Sequence, residues 1–240
     1  MGEEAAALAE ALAFCRRSPT AMTAVVWPSG HPEVATARAF LQRCKATILL
    51  EREVALEQHA HVLAVMALYT GEGWLESNCY YWESPLPDGE PAGPWPGARW
   101  KESLAFTRDA PLHVFVLDTN GHQGIWSGKY AIREEMRAKT GTLGNCCLHI
   151  TDDQSHAIGK AFQGDVSGCS SSYAFSCARC LLHPASLRFL NETCSDADLA
   201  DAAFLARFAK YTAWLTDHGC DDARSVGGEV VFEALPLADL

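Results

Sequence analysis

The sequence predicts an α/β or α+β sandwich, in which helices pack against one sheet. Short β-branched runs alternate along the chain with segments whose apolar residues recur at helical spacing. Hydrophobic residues make up 48% and charged residues 20% of the 240 residues, which is typical of a globular protein. This length suits one domain with appendages and is too short for two full domains.

Helices and strands alternate in the first part of the chain. Residues 3–17 form an amphipathic pattern that ends in two arginines, as suits a helix C-terminus. The β-branched run at 23–27 stops at the turn signal Pro28-Ser-Gly30, which predicts a strand followed by a turn. The same patterns predict a helix over 31–45, a strand over 46–50 and a helix over 56–69.

A proline-rich stretch interrupts the middle of the chain. Residues 84–98 hold five prolines and three glycines, so we expect a loop or insertion there. The clearest strand follows at 112–117, because its apolar run is closed by the turn signal Asp118-Thr-Asn-Gly121. Further strands are predicted at 146–150 and 229–232, a flexible joint at 164–172, and helices at 100–108, 132–139, 154–162, 173–183 and 197–216.

Charge and cysteine content exclude some classes of function. The net charge of −11 argues against a nucleic-acid-binding protein, since phosphate neutralisation requires clustered Lys and Arg. No apolar run approaches the ~20 residues that a membrane span needs, and the N-terminus is acidic where a secretory signal is basic. We therefore expect a cytoplasmic protein whose ten cysteines are mostly reduced, with no nucleic-acid or membrane partner.

The most informative segment surrounds a histidine. His149 follows an apolar, strand-like run, and Asp152 lies three residues on, at a predicted helix start. A histidine at a strand end can act as nucleophile or general base when a neighbouring group fixes its tautomer. Arg133, Arg137 and Lys139 lie just upstream and could meet an anionic substrate. This combination is typical of a phosphate-binding site.

A series of short motifs follows one order along the chain. They are Thr23-Ala-Val-Val-Trp-Pro-Ser-Gly30, residues 48–56 with Tyr69, Trp100–Phe106 with Asp109-Ala-Pro111 and the strand to Asp118, Arg137-Ala-Lys-Thr-Gly141, and the set Asn145, His149, Asp152 and Ala157. In this order they resemble the nucleoside diphosphate kinase family, over roughly residues 22 to 162.

The resemblance implies an α+β fold with a ferredoxin-like antiparallel sheet covered by helices. It divides the chain into an N-terminal helix at 1–20, a kinase-like domain at 21–163 with the insertion 84–98, and a mainly helical extension at 164–240. Because the loop before Asn145 is shorter than in the family, we expect a monomer or a small homo-oligomer.

The resemblance also implies an activity. The protein would move the γ-phosphate of a nucleoside triphosphate to a nucleoside diphosphate through phosphorylated His149, with Mg²⁺ bridging the phosphates. Arg137 would stabilise the transferred phosphoryl group, and Thr151 would orient the histidine or the leaving oxygen. The residues expected to bind the nucleotide are Asn145, Tyr69, Arg133 and Asp152.

The sequence departs from the family pattern at several positions. Trp27 stands where the family has a phosphate-contacting Lys, and Ile150-Thr151 stands where it has Gly-Ser. The Glu that ends the hydrogen-bond chain of the family's histidine falls at Lys160, and a loop with a second phosphate-binding Arg is missing. The alternative function is therefore a catalytically impaired nucleotide-binding or protein-interaction module with the same fold.

Each candidate residue also has a purely structural interpretation. His149 could be a buried histidine without chemistry, and Asp152 is a good helix N-cap in any case. Arg133 and Arg137 could belong to the solvated face of a helix. The tryptophans at positions 27 and 74 could pack in the core or stack on a nucleobase.

The C-terminal extension contains a cysteine and histidine cluster and two apolar stripes. Cys177, Cys180 and His183 invite a zinc interpretation, but their spacing of three also fits one face of a buried helix, and a second half-site is not evident. The stripes are too short to be stable alone in water, so we expect both to dock on the kinase-like domain. Their residues are Ala174, Cys177, Leu181 and Leu182, and Leu199, Phe204, Phe208 and Trp214.

Overall fold

A computed structural model describes residues 2–70, 75, 94–151, 170–192, 194–195, 197–217, 223–232 and 235. Within this part of the chain, four strands form an antiparallel sheet in the order β2–β3–β1–β4: β1 (Ala21–Val26), β2 (Thr47–Val54), β3 (Leu112–Asp118) and β4 (Leu148–Ile150). Helix α2 (Val34–Arg43) lies between β1 and β2, and helix α5 (Gly124–Thr140) lies between β3 and β4. The predicted α+β class with a ferredoxin-like sheet is confirmed.

The two central strands are the most deeply buried. Every residue of β1 is buried, and β3 is buried from Leu112 to Leu117. Strands covered on both faces read as continuous apolar runs, which is why both segments were clear in the sequence. The edge strand β2 is partly exposed along most of its length, and its sequence mixes charged with apolar residues.

One face of the sheet carries a small core beneath α2 and α5. This small core contains Met22, Ala24, Val26, Ala37, Phe40, Leu41, Phe115, Leu117, Ile125, Ile132, Met136, Cys147, Leu148 and Ile150. The alternation of side chains along β1 sends Val25 and Trp27 to the opposite face, where they join a larger core. The sheet is therefore the middle layer of a helix–sheet–helix sandwich.

The large core lies under helices from both ends of the chain. These are α1 (Gly2–Arg17), α3 (Ala60–Leu68), α4 (Pro96–Ala105), α7 (Ser170–Leu182), α8 (Pro184–Glu192) and α9 (Ala202–Thr216). Helix α7 packs against α1, α3 and β1, and the hydroxyl of Thr23 on β1 donates a buried 2.9 Å hydrogen bond to the carbonyl of Ala174. Helix α7 thus docks on the sheet, as its apolar stripe predicted, whereas α9, which carries most of the second stripe, packs on α7.

A buried arginine joins two helices of the extension. The Arg179 side chain on α7 is fully buried, and its guanidinium donates hydrogen bonds to the carbonyls of Trp214 and Asp217 at the end of α9. It also lies 3.6 Å from the centre of the Trp214 ring. A cation at a helix C-terminus satisfies carbonyls that have no partner within the helix.

Several predicted elements have different bounds in the structure. Cys146 and Cys147 were predicted in a strand, but they lie in the single-turn helix α6 (Gly144–Cys147), because the Leu143 carbonyl accepts from both of their amides. Residues 96–98 were assigned to the proline-rich loop, but Pro96 begins α4, where proline suits the first helical turn. Residues 170–172 were assigned to the joint, but they begin α7. Residues 84–93, 154–162 and 164–169 lie outside the described part.

Two elements of the extension had no counterpart in the sequence prediction. Helix α8 follows α7 after a single residue, and a strand β5 (Ala223–Val226) pairs with β6 (Glu229–Phe232) in a hairpin. No helix in the described part of the chain is long and apolar enough to cross a membrane. None of the seven cysteines in that part forms a disulfide.

Candidate functional site

The candidate site lies at one edge of the sheet, on β4. His149 is the middle residue of this strand and pairs with Val25 on β1. Directly opposed residues of an antiparallel pair point to the same face, so His149 faces the large core with Val25. Its side chain is only 5% exposed. The sequence predicts that His149 lies in a strand at 146–150, and the structure confirms that it lies in a short buried strand, although that strand begins only at Leu148.

Two tyrosines hold the imidazole of His149. The Tyr69 hydroxyl, at the C-terminal end of α3, lies 2.9 Å from Nδ1. The Tyr173 hydroxyl, from α7, lies 3.1 Å from Nε2. Both rings meet the imidazole edge-on. The orientation of His149 is therefore fixed at both nitrogens, by one residue before β4 and one after it.

Burial and neighbouring cations keep His149 neutral. Burial lowers the pKa of the imidazole well below 6.5, and the charges of Arg133, Lys129 and Lys101 lower it further. A neutral imidazole keeps a lone pair on one nitrogen and a proton on the other. His149 is therefore neutral, as a nucleophilic histidine must be. The three nearby cations favour the binding of an anion.

Lys101 is a buried cation beside this histidine. Its side chain on α4 is 1% exposed, and its ammonium donates to the carbonyl of Asn145 and lies 3.6 Å from the thiol of Cys146. The ammonium also lies 5.6 Å from the ring centre of Trp27 and 5.7 Å from that of Tyr69. Burial lowers the pKa of Lys101. None of these contacts is with a carboxylate, which would offset the cost of burying the charge.

Trp27 occupies the position at which the resemblance expects a lysine. Its side chain is fully buried in the large core, edge-on to Phe106, and its indole N–H has no hydrogen-bond partner among the described groups. Lys101 places an ammonium against the face of the same ring. The cation near this position thus comes from α4 and not from the end of β1.

Two of the predicted catalytic residues are engaged elsewhere. Thr151 is fully buried, and its hydroxyl accepts a 2.9 Å hydrogen bond from the amide of Thr23, so it extends the β1–β4 pairing. The guanidinium of Arg137 is exposed and pairs with Glu134 at 3.6 Å. The structure therefore gives Thr151 a structural contact and leaves Arg137 at the surface of α5.

The predicted nucleotide-binding residues are divided between the site and its surroundings. Tyr69 contacts His149 directly, and Arg133 donates from Nε to the carbonyl of Leu148 at 3.0 Å, next to the histidine in the chain. Asn145 lies in α6, where its carbonyl accepts from Lys101. Asp152 and Trp74 lie outside the described residues.

The cysteines and histidine of the extension do not converge. Cys177 and Cys180 are buried in α7, and Cys180 lies 3.5 Å from the Tyr211 hydroxyl. Nδ1 of His183 accepts from the amide of Ala185, and its ring packs against Trp214. Across the described residues, no group of three or more His, Cys, Asp or Glu side chains could hold a metal ion.

Sequence reasoning missed three residues of the site. Tyr173 comes from the extension, beyond the segment that carries the resemblance, and the chain offered no signal that α7 would bring it to His149. Lys101 was hidden by its place in an ordinary amphipathic helix. Lys129 could have been found, since it lies four residues before Arg133 and therefore on the same helix face.

A separate cavity lies away from the histidine. It has a volume of about 720 Å³ and lies between the C-terminal half of α1 and the β5–β6 hairpin. Its walls include Leu12, Phe14, Arg16, Arg17 and Phe232, and none of the residues around His149 lines it.

Comparisons of this chain with protein-family models, with curated proteins and with solved structures gave no match. The structure shows an α+β protein with a buried histidine in an edge strand of the sheet that it describes.

Proposed function

We propose that this chain moves the γ-phosphoryl group of a nucleoside triphosphate to a nucleoside diphosphate through a phosphohistidine at His149. The observation that carries the proposal is the neutral imidazole, oriented at both nitrogens and surrounded by Lys101, Lys129 and Arg133. The order of motifs along the chain and the ferredoxin-like sheet support it. We also propose a cytoplasmic location, where nucleoside triphosphates are abundant.

The two tyrosines divide the roles of the ring nitrogens. We assign the proton of His149 to Nε2, which donates it to the Tyr173 hydroxyl, so that Nδ1 keeps its lone pair and accepts from Tyr69. In the reaction, the hydrogen bond between the Tyr69 hydroxyl and Nδ1 breaks, and Nδ1 attacks the γ-phosphorus. The bond from phosphorus to the bridging oxygen breaks, and the nucleoside diphosphate leaves with its electron pair. A second nucleoside diphosphate then takes the phosphoryl group by the reverse displacement.

The cations offset the charge of the transferred group. Lys101, Lys129 and Arg133 act on the imidazole, and the same positive field stabilises the negative oxygens of a phosphoryl group. Their side chains are unsuited to ligating Mg²⁺, which prefers carboxylates and phosphate oxygens. We therefore expect the metal to arrive bound to the nucleotide, where it would neutralise part of the negative charge of the phosphates.

Labelling with [γ-³²P]ATP tests the proposal. We expect an acid-labile, alkali-stable label on the wild-type protein and none on His149→Gln. His61→Gln is the matched control, because His61 is a partly buried histidine whose ring stacks on Phe106 and whose Nε2 lies 3.3 Å from the carbonyl oxygen of Leu56. A wild-type protein that binds nucleotide but takes no label would contradict transfer, as would a label that persists in His149→Gln.

The second candidate is a nucleotide-binding or protein-interaction module without transfer. Specific observations favour it, since both nitrogens of His149 already have partners and Thr151 is engaged by the backbone of β1. Calorimetry with ADP and ATP separates the two candidates. Binding of both nucleotides without labelling supports the module, whereas the absence of heat with either nucleotide leaves only protein interaction.

A further inference from the structure

One face of α5 combines exposed aromatic rings with basic side chains. Trp126 and Tyr130 are 40% and 59% exposed, which is unusual for large apolar side chains. They are four positions apart, so they lie one above the other on the helix. Lys129 and Arg133 are also four positions apart.

Helix geometry places all four side chains on one side of α5. At ~100° per residue, positions 126, 129, 130 and 133 fall within an arc of roughly 100°. The buried positions Ile125, Ile132 and Met136 cluster about a quarter-turn away, toward the small core. The aromatic and basic residues therefore form a continuous strip along the flank of the helix, which we call the α5 strip.

The α5 strip ends at the edge strand β4, which carries the candidate site. Arg133 donates to the carbonyl of Leu148 at the outer edge of β4, one residue before His149. The charges of Lys129 and Arg133 both lower the pKa of His149. Arg133 lies seven positions after Trp126, which is roughly 10 Å along the helix. That distance is comparable to the distance from the base to the phosphates of a nucleoside diphosphate.

We propose that the α5 strip binds the nucleoside diphosphate, with its base stacked on Trp126 and Tyr130 and its phosphates on Lys129 and Arg133. This inference rests on the proposed function and adds where the nucleoside is recognised. Charge complementarity sets the direction of the ligand, because Arg133, at the C-terminal end of the strip, contacts β4 next to His149. Aromatic stacking accepts any base, so ADP and GDP should bind with similar affinity.

Calorimetric titration with ADP and with pyrophosphate tests the proposal. We expect Trp126→Ala/Tyr130→Ala to weaken ADP binding about ten- to a hundredfold and to leave pyrophosphate binding unchanged. Tyr130→Phe keeps the ring and should bind ADP like the wild type. Leu49→Ala is the control, because Leu49 is an apolar side chain of similar exposure on β2.

The outcomes separate this inference from the proposed function. If the wild type binds neither ADP nor pyrophosphate, both proposals fail. If the double variant binds ADP as tightly as the wild type, only the base-stacking inference fails. If the double variant loses pyrophosphate and ADP equally, the rings support the phosphate site and do not contact the base, which also overturns the inference.

Discussion

The Tyr173 hydroxyl lies 3.1 Å from Nε2 of His149, although the two residues belong to different parts of the chain. Tyr173 is in α7, within the C-terminal extension, and His149 is in β4 of the sheet. The resemblance expects a carboxylate at the end of the histidine's hydrogen-bond chain. In this protein a phenol makes the contact to Nε2, so the extension completes the surroundings of the candidate nucleophile.

Tyr173→Phe should slow phosphohistidine formation. The change removes the hydroxyl that accepts from Nε2, and loss of one such hydrogen bond is worth about 1 kcal/mol, or about fivefold in rate. The rate of labelling by [γ-³²P]ATP measures the effect. Tyr211→Phe is the control, because it removes a buried hydroxyl bonded to Ser186, in the extension. Equal labelling rates for Tyr173→Phe and wild type would exclude this role.

Stability should fall as the pH drops below 6.5. Burial, followed by the charges of Arg179 and Arg188, lowers the pKa of His183 from 6.5 to about 4. The unfolded chain therefore binds a proton that the folded chain excludes, so the stabilisation is complete above pH 6.5 and is lost as the pH falls toward 4. Burial also lowers the pKa of His149, so its protonation destabilises the folded chain as well.

Urea unfolding as a function of pH measures this dependence. His183 should remove about 2 kcal/mol of the unfolding free energy between pH 6.5 and pH 5, and His149 should add to this loss because its pKa is lowered as well. His183→Gln should reduce the slope of unfolding free energy against pH by about one proton in this window, whatever its effect on stability at pH 7.5. An unchanged slope would show that the His183 environment does not resist protonation.

Gly30→Ala should destabilise the protein. A Cβ at Gly30 would lie 2.5 Å from the carbonyl oxygen of Cys147, so the turn after β1 and the entry to β4 would have to separate. Overpacking of this kind costs about 2 kcal/mol. In Gly124→Ala the nearest atom is 3.6 Å away, and the helical position should gain up to ~1 kcal/mol. Urea denaturation compares the two variants, and equal stability would contradict the close approach.

Ending the chain at Gly164 should produce an aggregating or thermally weakened protein. The truncation removes α7, which covers β1, and with it the acceptor of the Thr23 hydroxyl. The uncovered face of the large core would then meet water. Light scattering and the melting temperature measure the outcome. A soluble truncated chain with an unchanged Tm would show that the extension is an independent module.

The sequence predicts the elements that have strong local signals. The apolar runs of β1 and β3 and the terminal pattern of α1 were found because burial on both faces, or on one helical face, leaves a repeating pattern. His149 was identified because an apolar run leads directly to it. Cys146 and Cys147 were misassigned because the same apolar run begins with a helical turn, which only the hydrogen bonds of Leu143 reveal.

By itself, the sequence determined the α+β class, the central strands and the histidine in the strand that became β4. Only the tertiary structure decided what surrounds that histidine, because Tyr69, Lys101 and Tyr173 come from three helices far apart in the chain. Local patterns reflect the burial of a residue, which is a property of its own helix or strand. The partner that a buried polar group finds depends on how those helices pack against one another. Such packing brings together segments that are far apart in the chain, so no local pattern predicts it.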